Sequence, residues 1–235
     1  MIKRTTLLVA GMLLVSNVAT AGSNWQTFTF STTPTDLPKV LAAAEKLMAA
    51  AGPGDKGTVS LMANVAGGDH SHMFVSSFDS RAARETWAKS FTASPAWKEF
   101  TKTTSGLIER GQSSRMDLVK SWGEQSSKDV FWEIYAFTVT DADDFSEAID
   151  DFLASDTGKT SPGQVHLSAV AAAGLSQVTH LISVGFESEA EAETWEDSIV
   201  TSKDWASYQK ASDKVSTFAG AFMIRTIQTW GSSGD

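Results

Sequence analysis

The chain has no cysteine among its 235 residues. That excludes disulfides, thiolate nucleophiles, thiolate–zinc sites and cysteine-held iron–sulfur clusters. Stability must come from burial, as one large or two small domains. Positive charge is also short: 19 Lys and Arg stand against 28 Asp and Glu, a formal charge of −9. Nucleic acid and anionic membrane surfaces are recognised by clustered Lys and Arg, so neither is expected as a partner. There is no Gly-x-Ser-x-Gly elbow, phosphate loop, His-Glu-x-x-His pair or dinucleotide fingerprint. With four His in the whole chain, groups that titrate near neutral pH are few.

Long apolar runs are absent after the first residues, and the first run is itself short. Lys3 and Arg4 precede the apolar stretch Leu7 to Val15, and Ala19-Thr20-Ala21 is a small-x-small site. Residues 1–21 therefore read as a signal peptide, and a periplasmic or secreted location is expected, with no membrane attachment after cleavage. The run is too short to span a bilayer comfortably. Cleavage after Ala21 removes Lys3 and Arg4 and takes the charge from −9 to −11.

What is present is self-similarity at a spacing of 108 residues. Trp87 meets Trp195, Trp97 meets Trp205 and Trp122 meets Trp230; Phe78/Phe186, Ser80/Ser188 and His72/His180 follow. Tryptophan is rare, so three pairs at one spacing mark an internal repeat. Residues 22–123 form the first copy, 124–128 the linker, 129–231 the second copy and 232–235 a tail.

Each copy has the same predicted order. Trp25 to Ser31 alternates as a strand. Leu37, Val40, Leu41, Ala44, Leu47 and Met48 fall on one helix face, with Thr35 or Asp36 as cap and Pro38 in the first turn. Thr58 to Val65 and Ser71 to Phe78 are strands joined at Gly67-Gly68-Asp69. A helical region from about Ser80 to Leu107 breaks at Ser94-Pro95, and Met116 to Trp122 closes the copy. In the second copy the strands are Phe131–Val139, Val165–Ala171, Val178–Phe186 and Ala221–Trp230. Helices lie around Phe145–Leu153 and from Glu189 to Val215, with Ser202 as a mid-helix cap. Strand–helix–strand–strand–helix–strand is the ferredoxin-like plan. Its sheet leaves one face bare, and two copies can cover that face by packing sheet to sheet. The expected fold is α+β: two tandem ferredoxin-like repeats forming a fused, pseudo-dimeric barrel with helices outside.

Phe78-Asp79-Ser80, followed by Ser94-Pro95-Ala96-Trp97-Lys98-Glu99-Phe100, resembles the dimeric α+β barrel superfamily. The likeness is to its antibiotic-biosynthesis-monooxygenase-like and NIPSNAP-like domains. The second copy keeps Phe186-Glu187-Ser188, Trp205 and Tyr208 but lacks the Ser-Pro. The helix His common in that family falls at Phe91 and Ile199 here, both apolar. The resemblance implies the barrel fold. It admits cofactor-free oxygenase chemistry, haem as a cofactor and a homo-oligomer, and fixes none of them.

The candidate site residues are polar groups on apolar strands. His72 and His180 sit at equivalent places and are expected to point into one cavity as acid, base or ligand. His70 and His72 share a strand face, which suits a metal pair, yet no third ligand is evident and no metal site is assigned. Arg225, Glu133 and His166 in the second copy, and Gln26, Arg115 and Asp117 in the first, are expected to line the barrel and hold a carboxylate or carbonyl. Trp87, Trp97, Trp195 and Trp205 read as packing between helices and sheet. Three functions follow: an exported small-molecule-binding or sensing protein; a monooxygenase-like or haem-associated enzyme using His72, His180 and Arg225; or a structural protein whose barrel is filled.

Overall fold

The computed structural model describes residues 23–124, 126, 128–173 and 177–231. The expected signal peptide and tail lie outside the described residues, as do positions 125 and 127 of the linker.

In the first half, β1 (Asn24–Ser31) leads to α1 (Leu37–Ala51), β2 (Gly57–Ala66), β3 (His72–Phe78), α2 (Arg81–Ala93), α3 (Pro95–Thr103) and β4 (Glu109–Trp122). The second half repeats the order: β5 (Phe131–Val139), α4 (Ala142–Ala154), β6 (Val165–Ala172), β7 (His180–Phe186), α5 (Glu189–Val200), α6 (Lys203–Ser212) and β8 (Ser216–Gly231). A 3₁₀ turn, Gly158–Thr160, precedes β6.

Local chemistry explains the helix breaks. Ser94 is extended, as a residue before proline prefers, and its hydroxyl accepts from the Trp97 amide at 3.0 Å. Ser202 accepts from the Trp205 amide at 3.0 Å and makes the same break without a proline. β4 and β8 begin seven and five residues before the expected Met116 and Ala221. The added stretch of β4 is polar and that of β8 holds one large apolar residue, Phe218, so neither shows apolar alternation. Backbone pairing with β1 and β5, from Ser31↔Glu109 and Val139↔Ser216, holds them as strand instead.

All eight strands pair antiparallel in one closed barrel, β1-β3-β2-β8-β5-β7-β6-β4. Each half contributes a ferredoxin-like sheet in the order β4-β1-β3-β2 or β8-β5-β7-β6. The halves join edge to edge, β2 against β8 and β4 against β6. The expected α+β barrel is therefore observed, with hydrogen-bonded seams rather than two stacked sheets. Closure leaves no open strand edge.

Alternate residues divide between two environments. Phe30, Leu61, Phe131 and Phe186 face outward and are fully or almost fully buried beneath the helices. Trp195 is buried in this layer, and Trp87, Trp97 and Trp205 pack against it, as expected. Inside the barrel, Met73, Ile134 and Ile224 form a separate cluster.

Strand register shows an equivalence that the 108-residue overlay hides. Trp25 pairs with Ser77 and Trp132 with Gly185, which are 108 apart, yet the two tryptophans are 107 apart. A one-residue offset between β1 and β5 thus places Trp25 and Trp132 at the same point of the two halves.

Leu61 is 0% exposed between barrel and helices. Leu61→Ala is expected to cost about 2–5 kcal/mol in urea denaturation, the range for deleting a well-packed leucine. Because Leu61 faces the helices, ligand binding inside the barrel is expected to survive in the folded fraction.

Candidate functional site

The barrel is hollow. A cavity of about 930 Å³ runs through it, walled by alternate residues of the strands. The filled-barrel reading does not hold. Its wall is mostly apolar and hydroxyl-bearing, including Met73, Ile134, Phe222 and Ser183. That is the make-up of a small-molecule site, and its size falls within the usual range of roughly 300–1,000 Å³.

His166 is the imidazole in that wall. It is 8% exposed, and burial lowers its pKa to about 4, so the ring is neutral at physiological pH. Its Nδ1 lies 2.7 Å from Ser121 Oγ on β4. The hydroxyl can give or take the shared proton, so either tautomer keeps the ring in place. Trp132 stacks on the imidazole at 5.7 Å and 16°, and Trp25 meets it edge-on at 5.0 Å and 86°. Both indoles line the cavity.

Three local features build this arrangement. The seam register Ser121↔His166 sets the hydroxyl beside the ring. Ser183, 4% exposed, stands opposite His166 across the β6–β7 pair and adds a second hydroxyl. Gly185 stands opposite Trp132, and a Cβ there would lie 3.0 Å from the indole. A bare backbone is therefore what lets Trp132 lie across the wall. On the same face of β6, Ser168 is fully buried and its hydroxyl has no hydrogen-bond partner among the described residues. A buried orphan hydroxyl calls for a water or a ligand atom.

The other expected site residues lie elsewhere. His72 and His180 face the helix layer and do not line the cavity. His72 stacks on Phe30 at 5.5 Å with Nδ1 2.8 Å from Ser71 Oγ. His180 packs against Phe145 with Nδ1 3.0 Å from Thr179 Oγ1. Burial lowers both pKa values. Even-numbered positions of β3 and β7 point outward, which sequence spacing alone does not reveal. No group of three or more metal-ligating His, Cys, Asp or Glu occurs among the described residues.

Arg225 also points outward, 3.4 Å from Glu189. Asp117, its equivalent, pairs with Arg81, the equivalent of Glu189. The halves thus keep one ion pair with its charges exchanged. Gln26 accepts from Arg84 at 2.7 Å on the outer face. Of the polar strand residues named from sequence, His166 alone reaches the cavity. Trp25 and Trp132 were not foreseen as site residues.

Glu133 lies under α5, not in the barrel. It is 3% exposed. The Tyr135 hydroxyl stands 2.6 Å from Glu133 Oε2 and 2.6 Å from Glu196 Oε1. One hydroxyl proton serves only one of these contacts, so the other requires a protonated carboxyl. Burial, with the neighbouring Glu196, raises the Glu133 pKa from 4.5 to about 7.

No protein-family model matches the chain, and no curated protein matches it. Solved structures match its fold. A protein of Lactobacillus acidophilus NCFM assigned as a monooxygenase superposes with a TM-score of 0.61 at 10% identity, over 89% of this chain and 96% of that one. An anthrone oxidase-like protein gives 0.60 at 11% identity, over 91% and 94%. A heme-binding protein of Thermus thermophilus gives 0.52 at 10% identity, over 88% and 92%. These likenesses are of fold, and they agree with the dimeric α+β barrel expected from sequence.

The protonated Glu133 makes stability depend on pH. The folded state holds a proton that the unfolded chain releases near pH 4.5, so stability falls as pH rises from about 4.5 to about 7. Glu133→Gln is expected to flatten that slope in denaturation curves at pH 5 and pH 8. An unchanged slope would contradict the shared proton.

Proposed function

We propose that this chain is an exported monooxygenase-type enzyme that takes one small, flat, largely apolar molecule into its barrel and oxidises it with molecular oxygen. The observation that carries this reading is the neutral His166, held by Ser121 between Trp25 and Trp132 in the cavity wall. The indoles offer aromatic surface for a planar ring system. Ser121 and Ser183 offer hydroxyls to one carbonyl or phenol.

The chemistry suited to such a wall is proton removal from an activated methylene. A CH₂ between aromatic rings gives its proton to the imidazole, and the carbanion passes electrons to O₂. The balanced outcome is R₂CH₂ + O₂ → R₂C=O + H₂O. The negative charge formed beside His166 favours its imidazolium, offsetting the low basicity of the buried ring. The apolar wall keeps bulk water from the carbanion. The N-terminal signal-like segment supports delivery to the periplasm or beyond.

Haem is the other reading that the fold allows. A neutral imidazole is the right type of iron ligand. The rest of the wall does not fit. Haem carries two propionates, and the ionic groups of the wall are Asp55, Asp79 and Asp129 against Lys56. No arginine lines the cavity among the described residues. Hemin titration of the mature protein is expected to give no His-ligated Soret band; a band abolished by His166→Ala would reverse this conclusion.

Anthrone is a suitable probe, being planar and apolar with one carbonyl and one activated methylene. The protein is expected to consume oxygen with it. His166→Ala should lower kcat by about 10²–10⁴-fold, the usual contribution of a positioned base. Trp132→Ala should chiefly raise KM. Oxygen uptake unaffected by His166→Ala would refute the assignment. Binding without oxidation would leave the chain a ligand-binding protein.

A further inference from the structure

We propose that the outer face of the first half carries a second site, backed by Trp25 and Met116 of the cavity wall, for a small oxyanion such as a carboxylate or phosphate group. A pocket of about 120 Å³ opens there, and three of its residues are arginines: Arg81, Arg84 and Arg115. Asn24 also lines it. Asn24 is 3% exposed, and neither atom of its side-chain amide has a hydrogen-bond partner among the described residues. A buried amide left bare costs free energy comparable to a lost hydrogen bond, and a bound oxygen atom would recover it.

The backbone explains how the charges converge. Arg81 and Arg84 stand in the first turn of α2, which Ser80 caps and which holds no acidic residue. The open N–H groups of a helix start add to the positive field. Arg115 comes from β4, where a bulge between Arg115 and Met116 interrupts the pairing with β6. The bulge brings Ala171, with its small side chain, into the wall and leaves space.

Existing contacts show what the site attracts. Asp117, the register partner of Asn24, lies in the fork of Arg81, with Arg81 Nε donating to its Oδ1 at 2.9 Å and a second, Nη2–Oδ2 contact beside it. A carboxylate of the chain thus already occupies one arginine. Arg84 donates to Gln26 at 2.7 Å, a neutral partner. The Arg115 guanidinium has no hydrogen bond among the described residues. Three guanidiniums facing one carboxylate leave a local positive charge in a chain whose formal charge is −9.

The barrel does not require this arrangement. The equivalent positions of the second half hold Phe131 in place of Asn24, Glu189 in place of Arg81, Ala192 in place of Arg84 and Met223 in place of Arg115. The one basic residue there is Arg225, in place of Asp117, and it is paired with Glu189. One half has a cationic pocket and the other does not, so the pocket is a property of these side chains rather than of the fold.

The test is calorimetric titration of the mature chain with inorganic phosphate and, separately, with acetate, at constant ionic strength in chloride. One-to-one binding of at least one anion is expected. Phosphate alone assigns a phosphoryl group and acetate alone a carboxylate. Arg115→Gln, a change at an exposed position, should weaken binding about tenfold, as expected for a lost charge-assisted hydrogen bond. Asp117→Asn should tighten it severalfold by freeing Arg81, an effect that loss of a merely structural contact would not give. Absence of binding by both anions, or unchanged affinity in Arg115→Gln, would overturn the proposal. Trp132→Ala, whose indole does not line the anion pocket, should leave this binding intact, so its failure is distinguishable from failure of the barrel assignment.

Discussion

The constraint on which everything else rests is the fate of the strand edges. A four-stranded ferredoxin-like sheet ends in two rows of unpaired backbone groups and has one face without helices. Here β2 finds β8 and β4 finds β6, so both edges disappear in one step. The inner faces then enclose a volume instead of meeting solvent. A stacked sandwich would have interdigitated those side chains. The closed barrel holds them apart and leaves a cavity of about 930 Å³. The hollow centre follows from the seams.

The seams also set the chemistry. Ser121 and His166 meet because β4 and β6 pair across the boundary between halves, and Trp25 and Trp132 come from one half each. Neither half alone contains the site. The two tryptophans keep the pseudo-symmetry, while His166 breaks it: the matching position on β2, by its register with β3 and β8, is Ser60, which also lines the cavity. The outer surface behaves similarly. Arg81–Asp117 and Glu189–Arg225 preserve one ion pair with opposite polarity, whereas the arginine pocket exists on one side alone.

Much of the fold was legible from sequence because the repeated tryptophans marked equivalent helices and the apolar spacing marked both kinds of element. The Ser94-Pro95 break was readable because proline restricts its neighbour. The first residues of β4 and β8 were not, since tertiary pairing rather than side-chain pattern makes them strands. The site was harder for a physical reason. These strands are covered on both faces, by helices outside and by the cavity wall inside, so alternation between apolar and polar residues fades. Parity decided which polar residues entered the barrel, and His72, His180, Glu133 and Arg225 fell on the outer face. His166 was identified as polar on an apolar strand and does reach the cavity. Trp25 and Trp132 escaped notice because a 108-residue overlay sets Trp25 against Glu133, one residue past its true partner. A search for paired tryptophans that allowed a one-residue slip would have found them.

The proposed site depends on a neutral imidazole inside the closed barrel. The most direct measurement is an NMR titration of the His166 ring nitrogens. The ring should stay neutral on acidification until about pH 4. A midpoint near the ordinary 6.5 would mean that water reaches the ring freely, and the enclosed site described here would not exist.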